Sequence, residues 1–454
     1  MNNEFQIGRM RKFFDSGATR NVHFRSEQLQ KLTDALDAYE TRLQKALFSD
    51  LHKSPIDAYT SETGYVQSEI RHALKHLKKW SRAKRVSVPA GVKPGRGTII
   101  PEPKGVVLII GPWNYPAQLV LSPLVSAIAA GNCAVIKPSE LTPHTSAVLK
   151  KMIEETFDPN VVQLLEGGRE TAEMLLDQPF DHIFFTGGTE IGRKVAAAAA
   201  KNLIPTTLEL GGKNPAIVCE DIDPDVAARR IVRGKFMNAG QLCVAPDHVW
   251  VPRAMLDSFF QTLEKTIEQF FGSDPKQSPD VGRIVNRHHV DRLLALCPDC
   301  GHDADDLFIA PTLIKNPALD SAVMQEEIFG PLLPVLPYDS EQELIDFCRA
   351  RSAPLALYLF TNDKARQKKL MEAIPSGGVC INDTVSQLIP KTLPFGGKGA
   401  SGWGASHGKA GFDEFSHFRS VLTRSTRFDF KAAYPPLNIS LNAMKRAYRF
   451  FAGD

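Results

Sequence analysis

Residues 105–140 read GVVLIIGPWNYPAQLVLSPLVSAIAAGNCAVIKPSE, and their pattern sets the fold class. Val106–Ile110 is an unbroken apolar run, too short for a helix and without the alternation of a half-exposed strand. It predicts a strand buried on both faces. An apolar stretch from Leu119 to Gly131 follows, and Cys133–Ile136 then repeats the strand signal. Beyond it come a predicted helix from Ser146 to Phe157 and the runs VVQLLEG, HIFFTG, PTTLELGG and PAIVCED. Strand and helix in alternation predict an α/β fold, a mostly parallel sheet covered by helices. Ligands of such sheets gather beyond the carboxyl ends of the strands, so the polar residues after each run are the candidates for chemistry.

Outward from this stretch, the 454 residues exceed one ordinary core and predict two or three domains. With 54 basic against 51 acidic side chains and no long basic block, charge excludes nucleic acid as an expected partner. The first twenty residues lack the apolar core of a secretory signal, and no run approaches the ~20 apolar residues of a spanning helix. A soluble, cytoplasmic protein is expected, its seven cysteines reduced thiols. Toward the amino end, Leu29, Leu32, Leu36, Leu43 and Leu47 mark one helix face, with Ser26 as a partial cap. Val66, Ile70, Leu74 and Leu77 mark another, with a basic outer face. The Pro- and Gly-rich segment 89–103 predicts a hairpin or an excursion between domains. The C-terminal segment 434–454 mixes apolar residues with Lys445, Arg446 and Arg449. It is suited, in decreasing order, to packing on a partner subunit, bordering a substrate funnel or lying on a membrane surface.

The strand ends supply the candidate site. After VVLII, two prolines flank Asn114 in a rigid loop that could fix its amide as a donor; a turn-forming Asn reads equally simply. After CAVI, Lys137 and Glu140 form either an ordinary strand-end ion pair or a binding pair. Gly187, Gly188, Thr189 and Gly192 lie between a strand and an Ala-rich helix over 191–200, where backbone amides and the helix dipole attract a pyrophosphate. The spacing is not GxGxxG, so packing glycines remain open. Glu209 stands between two leucines at a strand end, where apolar surroundings would raise its pKa and suit a general base. Residues 231–246, IVRGKFMNAGQLCVAP, end a helical pattern and present Cys243 before a Pro turn. The loops 325–331 and 393–398 carry charge between Gly and Pro. Cys133, Cys219, Cys348 and Cys380 fall in apolar patterns expected to be core. Cys297 and Cys300 make a single CxxC, short of four ligands, and no metal site is expected.

Taken in order, PWNYP, KPSE, FTGGTEIG, LELGGK, GQLC, EEIFGP and LPFGG resemble the aldehyde dehydrogenase superfamily over nearly the whole chain. GQLCVAPD and the ending SHGKAGFDEFSHFRSV are similar to its class 3, the branch of fatty and aromatic aldehyde dehydrogenases. The resemblance implies a Rossmann-like NAD(P)-binding domain (1–82 and 104–209) and an α/β catalytic domain (210–400). It also implies a small β oligomerisation extension, in bridging segments 83–103 and 401–454. Cys243 becomes the nucleophile, Glu209 the general base and Asn114 the oxyanion donor. Lys137 and Glu140 fall at the adenosine ribose, Gly187, Gly188, Thr189 and Gly192 at the phosphate turn, and Glu327 and Phe329 beside the nicotinamide. The implied reaction is oxidation of an aldehyde to an acid through a Cys243 thiohemiacetal and thioester, the latter hydrolysed by water that Glu209 activates. A medium- or long-chain aliphatic or aromatic aldehyde is the expected substrate, NAD the expected coenzyme with NADP possible, and a homodimer the expected assembly. Acylating or reductive thioester chemistry, or a catalytically silent binding protein, are the competing readings. Two positions depart from the class pattern: Leu242 stands where Thr is common and Gly188 where Ser is common. A thiol of ordinary pKa is only about 3% ionised at pH 7, and Cys243 lies beyond the carboxyl end of its helix, where the dipole opposes an anion. Its reactivity is therefore expected to depend on the bound coenzyme, nearby amides or Glu209.

Overall fold

A computed structural model describes residues 7–427, 429, 434–437 and 439–451; parts of the segments 1–82 and 401–454 thus lie outside the described residues. Val106–Ile110 and Cys133–Lys137 are adjacent parallel strands, every residue of both buried. They belong to a six-stranded sheet ordered Gly402–Trp403, Thr206–Glu209, His182–Thr186, Val106–Ile110, Cys133–Lys137, Val162–Leu164. All neighbours are parallel except the short Gly402–Trp403 edge. In chain order the sheet grows from Val106–Ile110 toward Val162–Leu164, then resumes on the other side with His182–Thr186. The strand order therefore reverses between Val106–Ile110 and His182–Thr186, and a crevice opens at such a reversal.

A second six-stranded sheet, wholly parallel, is ordered Thr312–Lys315, Leu332–Tyr338, His248–Pro252, Pro215–Val218, Ala356–Phe360, Gly378–Ile381. The two parallel sheets, each packed against helices, make the α/β fold that the alternating pattern predicts. A third sheet is antiparallel, with Arg96–Pro103 between Lys84–Val86 and Ser416–Thr423. The Pro- and Gly-rich segment thus forms the hairpin that its turn residues suggest. The helix Leu441–Phe451 packs on the turn Ala90–Val92. Among the described residues no helix is long and apolar enough to cross a membrane.

The helices Val22–Leu51 and Gly64–Trp80 join Gln118–Ala130 and Pro143–Thr156 over one face of the first sheet. All five leucines of the 29–47 face are fully buried, as are Val66 and Ile70, while Leu74 is partly so. Truncating one of those leucines to Ala would cost about 2–5 kcal/mol. Three boundaries differ from the pattern. The first helix starts at Val22, capped by Asn21, which accepts from the His23 amide at 2.8 Å; Ser26 lies inside and bonds back to the Val22 carbonyl. The fourth starts at Pro143, because a proline lacks only an amide that the first turn leaves unpaired. The helix before Cys243 spans Pro224–Phe236, ending two residues before Asn238, where the helical pattern of the sequence runs out. Cys133, Cys219 and Cys348 are buried, and Cys380 is partly exposed at the sheet margin.

Candidate active site

The short helix explains how Cys243 is presented. After Phe236 the chain enters the left-handed region at Asn238, Ala239 and Gly240, with φ of 49°, 53° and 73°. Asn238 and Ala239, unlike glycine, cost of order 1–3 kcal/mol each there unless neighbours hold them. Amide side chains do so. Asn238 Nδ2 donates to the Asn114 carbonyl at 2.9 Å, and Gln241 Nε2 donates to the Asn238 and Arg283 carbonyls at 3.0 and 2.9 Å. Gln241 Oε1 accepts from the Val285 amide at 3.0 Å. Gly240 also meets the next loop, where a Cβ would come within 2.2 Å of the Gly330 carbonyl oxygen. Beyond the turn, Asn214 Nδ2 donates to the Cys243 and Ala245 carbonyls at 2.8 and 3.0 Å.

Cys243, half-buried, lines two cavities at once, of about 500 and 370 Å³. Glu209, Thr186 and Leu119 are also shared between them. The residues that converge here follow strands of the first sheet, whereas Asn214 and the Cys243 loop precede strands of the second. Burial pushes the thiol up, and the charges of Glu327 and Glu209 add to this; the amides of Cys243 and Val244 act in the opposite direction. The free thiol is thus held protonated.

Glu209 ends its strand, buried, with neither carboxyl oxygen hydrogen-bonded. Burial pushes it up to about 8; the nearby Ser406 hydroxyl, which donates instead to the Phe395 carbonyl at 3.4 Å, lowers it, and Glu414 raises it. Asn114 is buried in the loop after Ile110, its Nδ2 donating to the Gln241 carbonyl at 3.0 Å. This bond uses one N–H and leaves the second for a ligand in the smaller cavity, which Asn114 lines with Cys243.

That smaller cavity is a slot between Trp113, Gly187, Gly188, Gly211, Glu327 and Phe329. Phe329 meets Trp113 edge to face at 5.2 Å, and its own φ is 46°. Glu327 is pushed up to about 8 by burial and by Asp247, against the Gly212 amide, Lys213 and Arg292. Its carboxylate lies so close to Gly211 that a Cβ there would come within 2.2 Å of Oε2. The helix Thr189–Lys201 opens onto the slot with no side-chain cap, leaving its first amides to an anion. Gly187 donates its amide to the Glu209 carbonyl at 3.1 Å, Thr189 Oγ1 reaches the Ala400 carbonyl at 3.4 Å, and Gly192 packs against Leu210. Gly188 has extended backbone with open space around a would-be Cβ, so no feature of the fold demands a glycine there. Two strands from the glycine turn, buried Lys137 holds exposed Glu140 at 2.7 Å. Burial would raise Glu140, but the hydrogen bond and charge of Lys137 bring it below the usual value. A dinucleotide fits this arrangement: uncapped helix amides for the pyrophosphate, an acidic side chain two strands away, and an aromatic-walled slot ending at the thiol.

The larger cavity reaches Cys243 from the other side. Its walls include Tyr115, Leu119, Met237, Leu242, Leu388 and Phe395. The site therefore joins residues that the strand-end rule singles out with others that it misses. Asn214 and Asn238 fall outside the ordered motifs, and Gln241, though within GQLC, stands at no strand end; each acts by satisfying a carbonyl of a distant or strained segment. His289 and Arg292 line the slot from a helix of the second sheet's layer. Cys297 and Cys300 lie away from both cavities, and among the described residues no group of three or more His, Cys, Asp or Glu is placed to hold a metal.

A parallel sheet with its order reversed at a dinucleotide slot, and a thiol where that slot meets a second cavity, define a nicotinamide-dependent oxidoreductase. The chain belongs to the aldehyde dehydrogenase family, whose model matches residues 5–421. It is 46% identical over 445 residues to the 4,4'-diaponeurosporen-aldehyde dehydrogenase of Staphylococcus aureus, covering 96% of this chain and 97% of the relative. It is 43% identical over 438 residues to the dimeric NADP-preferring aldehyde dehydrogenase of Mus musculus, covering 95% and 97%. A solved structure of the substrate-bound state of Staphylococcus aureus AldH superposes with a TM-score of 0.95 at 45% identity, covering 97% of this chain and 98% of that one. The protein is an NAD(P)-dependent aldehyde dehydrogenase, oxidising an aldehyde to the acid.

Proposed function

We propose that the reaction runs on Cys243, Glu209 and Asn114, with hydrolysis and not acyl transfer as its second half. The observation that carries this is Glu209: a buried carboxyl with two unpaired oxygens, lining both cavities beside the thiol. Cys243 gives its proton to Glu209 in its ionised form and adds to the aldehyde carbon, the free N–H of Asn114 with the Cys243 amide steadying the oxyanion; Glu209 releases that proton to solvent before the second half. Trp113, Glu327 and Phe329 would hold the nicotinamide, which when bound would supply the acceptor for the hydride that leaves the aldehyde carbon. Glu209 then takes a proton from water as the water attacks the thioester, a step that a coenzyme A thiol would not require. Gly187, Gly188, Thr189 and Gly192 are assigned to the pyrophosphate, and Lys137 and Glu140 to the adenosine ribose. Glu140 favours NAD by repelling a 2′-phosphate, while Lys137 leaves NADP acceptable.

The walls of the larger cavity suit a medium- or long-chain aliphatic or aromatic aldehyde, and Leu242 adds a branched apolar contact next to the thiol. The segments 1–82 and 104–209 are assigned to the coenzyme domain, 210–400 to the catalytic domain, and 83–103 with 401–454 to assembly. A homodimer is supported by the edge strand Ser416–Thr423, which exposes Phe418 and Leu422. The seven unpaired cysteines support a cytoplasmic site of action. No described residue of the segment 434–451 lines the substrate cavity, so packing against the turn Ala90–Val92 is preferred to a funnel role. A panel of aldehydes with NAD and with NADP, followed by nicotinamide absorbance, tests the reading alongside Cys243→Ala. Turnover lost in that variant supports it, and persistent turnover removes Cys243 from the reaction.

A further inference from the structure

The mouth of the substrate cavity carries charge that the apolar walls do not explain. Arg71, on the helix Gly64–Trp80, and Arg233, on the helix Pro224–Phe236, both line this cavity and both are exposed. Among the described residues neither guanidinium has a hydrogen-bond or ion-pair partner. Arg25, by contrast, donates to the Thr19 and Ala129 carbonyls, Arg253 to Asp339 and Arg283 to Asp306, while exposed arginines such as Arg82 and Arg85 are unpaired as well; what sets Arg71 and Arg233 apart is that they line one cavity.

The remaining ionisable groups of the cavity do not cancel these two charges. Glu69 is buried and ion-paired with Lys391 at 3.2 Å, and its other oxygen accepts from the Gly408 amide. Lys391 lies over the Tyr65 ring, 3.1 Å from its centre, so this ion pair is internally neutral. Glu209, deep beside the thiol, is mostly protonated near neutral pH. A ligand in the cavity thus meets an electrophile trap at the bottom, an apolar shaft, and two uncompensated cations at the opening.

We propose that the preferred substrate is an aldehyde carrying a carboxylate at the far end of an apolar chain, the carboxylate being received by Arg71 and Arg233. The proposal rests on the reading that this cavity leads the aldehyde to Cys243, and it narrows the substrate class. Guanidinium forks match a carboxylate's two oxygens, and two of them from separate helices fix its position across the opening. The reaction itself is unchanged. The aldehyde carbon is oxidised, NAD(P)+ is reduced, water supplies the second oxygen, and a dicarboxylate leaves.

The test compares unbranched alkanals with oxo-carboxylates of the same chain length, on the purified full-length enzyme with coenzyme in excess. The oxo-carboxylate is expected to have the higher kcat/KM, with the advantage in KM and diminishing as salt rises. Arg71→Gln and Arg233→Gln should each lower kcat/KM for the oxo-carboxylate by about two- to fivefold and leave the alkanal unchanged. The double variant should abolish the preference. Alkanals favoured by the wild type, or equal losses for both series in the variants, would overturn the proposal. Equal turnover of both series together with loss of binding to anionic phospholipid vesicles in the double variant would overturn it in favour of a lipid headgroup. Failure of the underlying reading has a separate signature: Cys243→Ala would then leave both series turning over.

Discussion

Replacing Glu209 by Gln keeps the shape of the side chain and removes its titration, which couples stability and catalysis to one group. In the folded protein burial raises this carboxyl from 4.5 to about 8. The fold therefore binds a proton that the unfolded chain releases. The stability from that proton is fully present below pH 4.5, falls as pH rises, and is gone above about 8. At about 1.36 kcal/mol per pH unit, the whole window amounts to about 5 kcal/mol. Gln cannot ionise, so the variant escapes the loss. Thermal melts at about pH 5 and about pH 9 should show the variant gaining on the wild type at the alkaline end. Turnover should move the other way. Wild-type deacylation should rise with pH toward and through about 8, whereas Glu209→Gln should give a stoichiometric burst of reduced nicotinamide and then stall, losing about 10²–10⁴ in steady-state rate. Melting curves that stay parallel across pH would refute the buried, proton-holding carboxyl, and unchanged steady-state turnover would refute its role as base.

Three further outcomes are expected. Because burial holds the Cys243 thiol protonated, and Glu327 and Glu209 add to this as they ionise through about 8, its alkylation without coenzyme should be slow at neutral pH and still rising at about pH 9, and NAD should accelerate it. A rate already at its plateau near neutrality without coenzyme would show another activator. Asn114→Ala should lower turnover by about 10²–10³ with a smaller change in aldehyde KM. It also removes one of two donors to the Gln241 carbonyl, leaving Asn238 Nδ2 at 3.2 Å, so a melting temperature alongside separates oxyanion loss from loosening of the loop. Glu140→Gln should weaken NAD and improve NADP relative to it, since Lys137 then faces the 2′-phosphate without a competing carboxylate; coenzyme KM values that keep their wild-type ratio would remove Glu140 from the ribose.

Glu414 connects the first of these expectations to the rest of the molecule. It accepts from Thr207 Oγ1 at 2.7 Å, and Thr207 shares a strand with Glu209 two residues away. Thr207 in turn meets the fully buried His182 at 2.9 Å, and Lys104 closes the chain at 3.1 Å from the other ring nitrogen. A carboxylate fixed in this way beside Glu209 contributes to holding its proton, after burial.

The sequence by itself determined the elements whose cause is local. Continuous apolar runs at Val106–Ile110, Cys133–Ile136 and His182–Phe185 specified doubly buried strands, because a strand covered on both faces has no side on which to place polar residues. The leucines at three- and four-residue spacing specified the first long helix for the same kind of reason. Asn114, Lys137, Glu140, Gly187 and Glu209 were legible as strand-end residues, and the ordered motifs joined them to Cys243. Tertiary structure decided what depends on distant partners. The helix before Cys243 stops at Phe236 because Asn114, Gln241 and the Gly330 loop hold a left-handed turn that its own residues would not choose. Glu209 is a proton-holding acid only because the assembled core removes water from it without giving its oxygens a partner. Arg71 and Arg233 are 162 positions apart in the chain, and nothing in either neighbourhood marks them. Only the packing of two helices around one opening makes them a pair, since charge recognition depends on separation in space and not along the sequence.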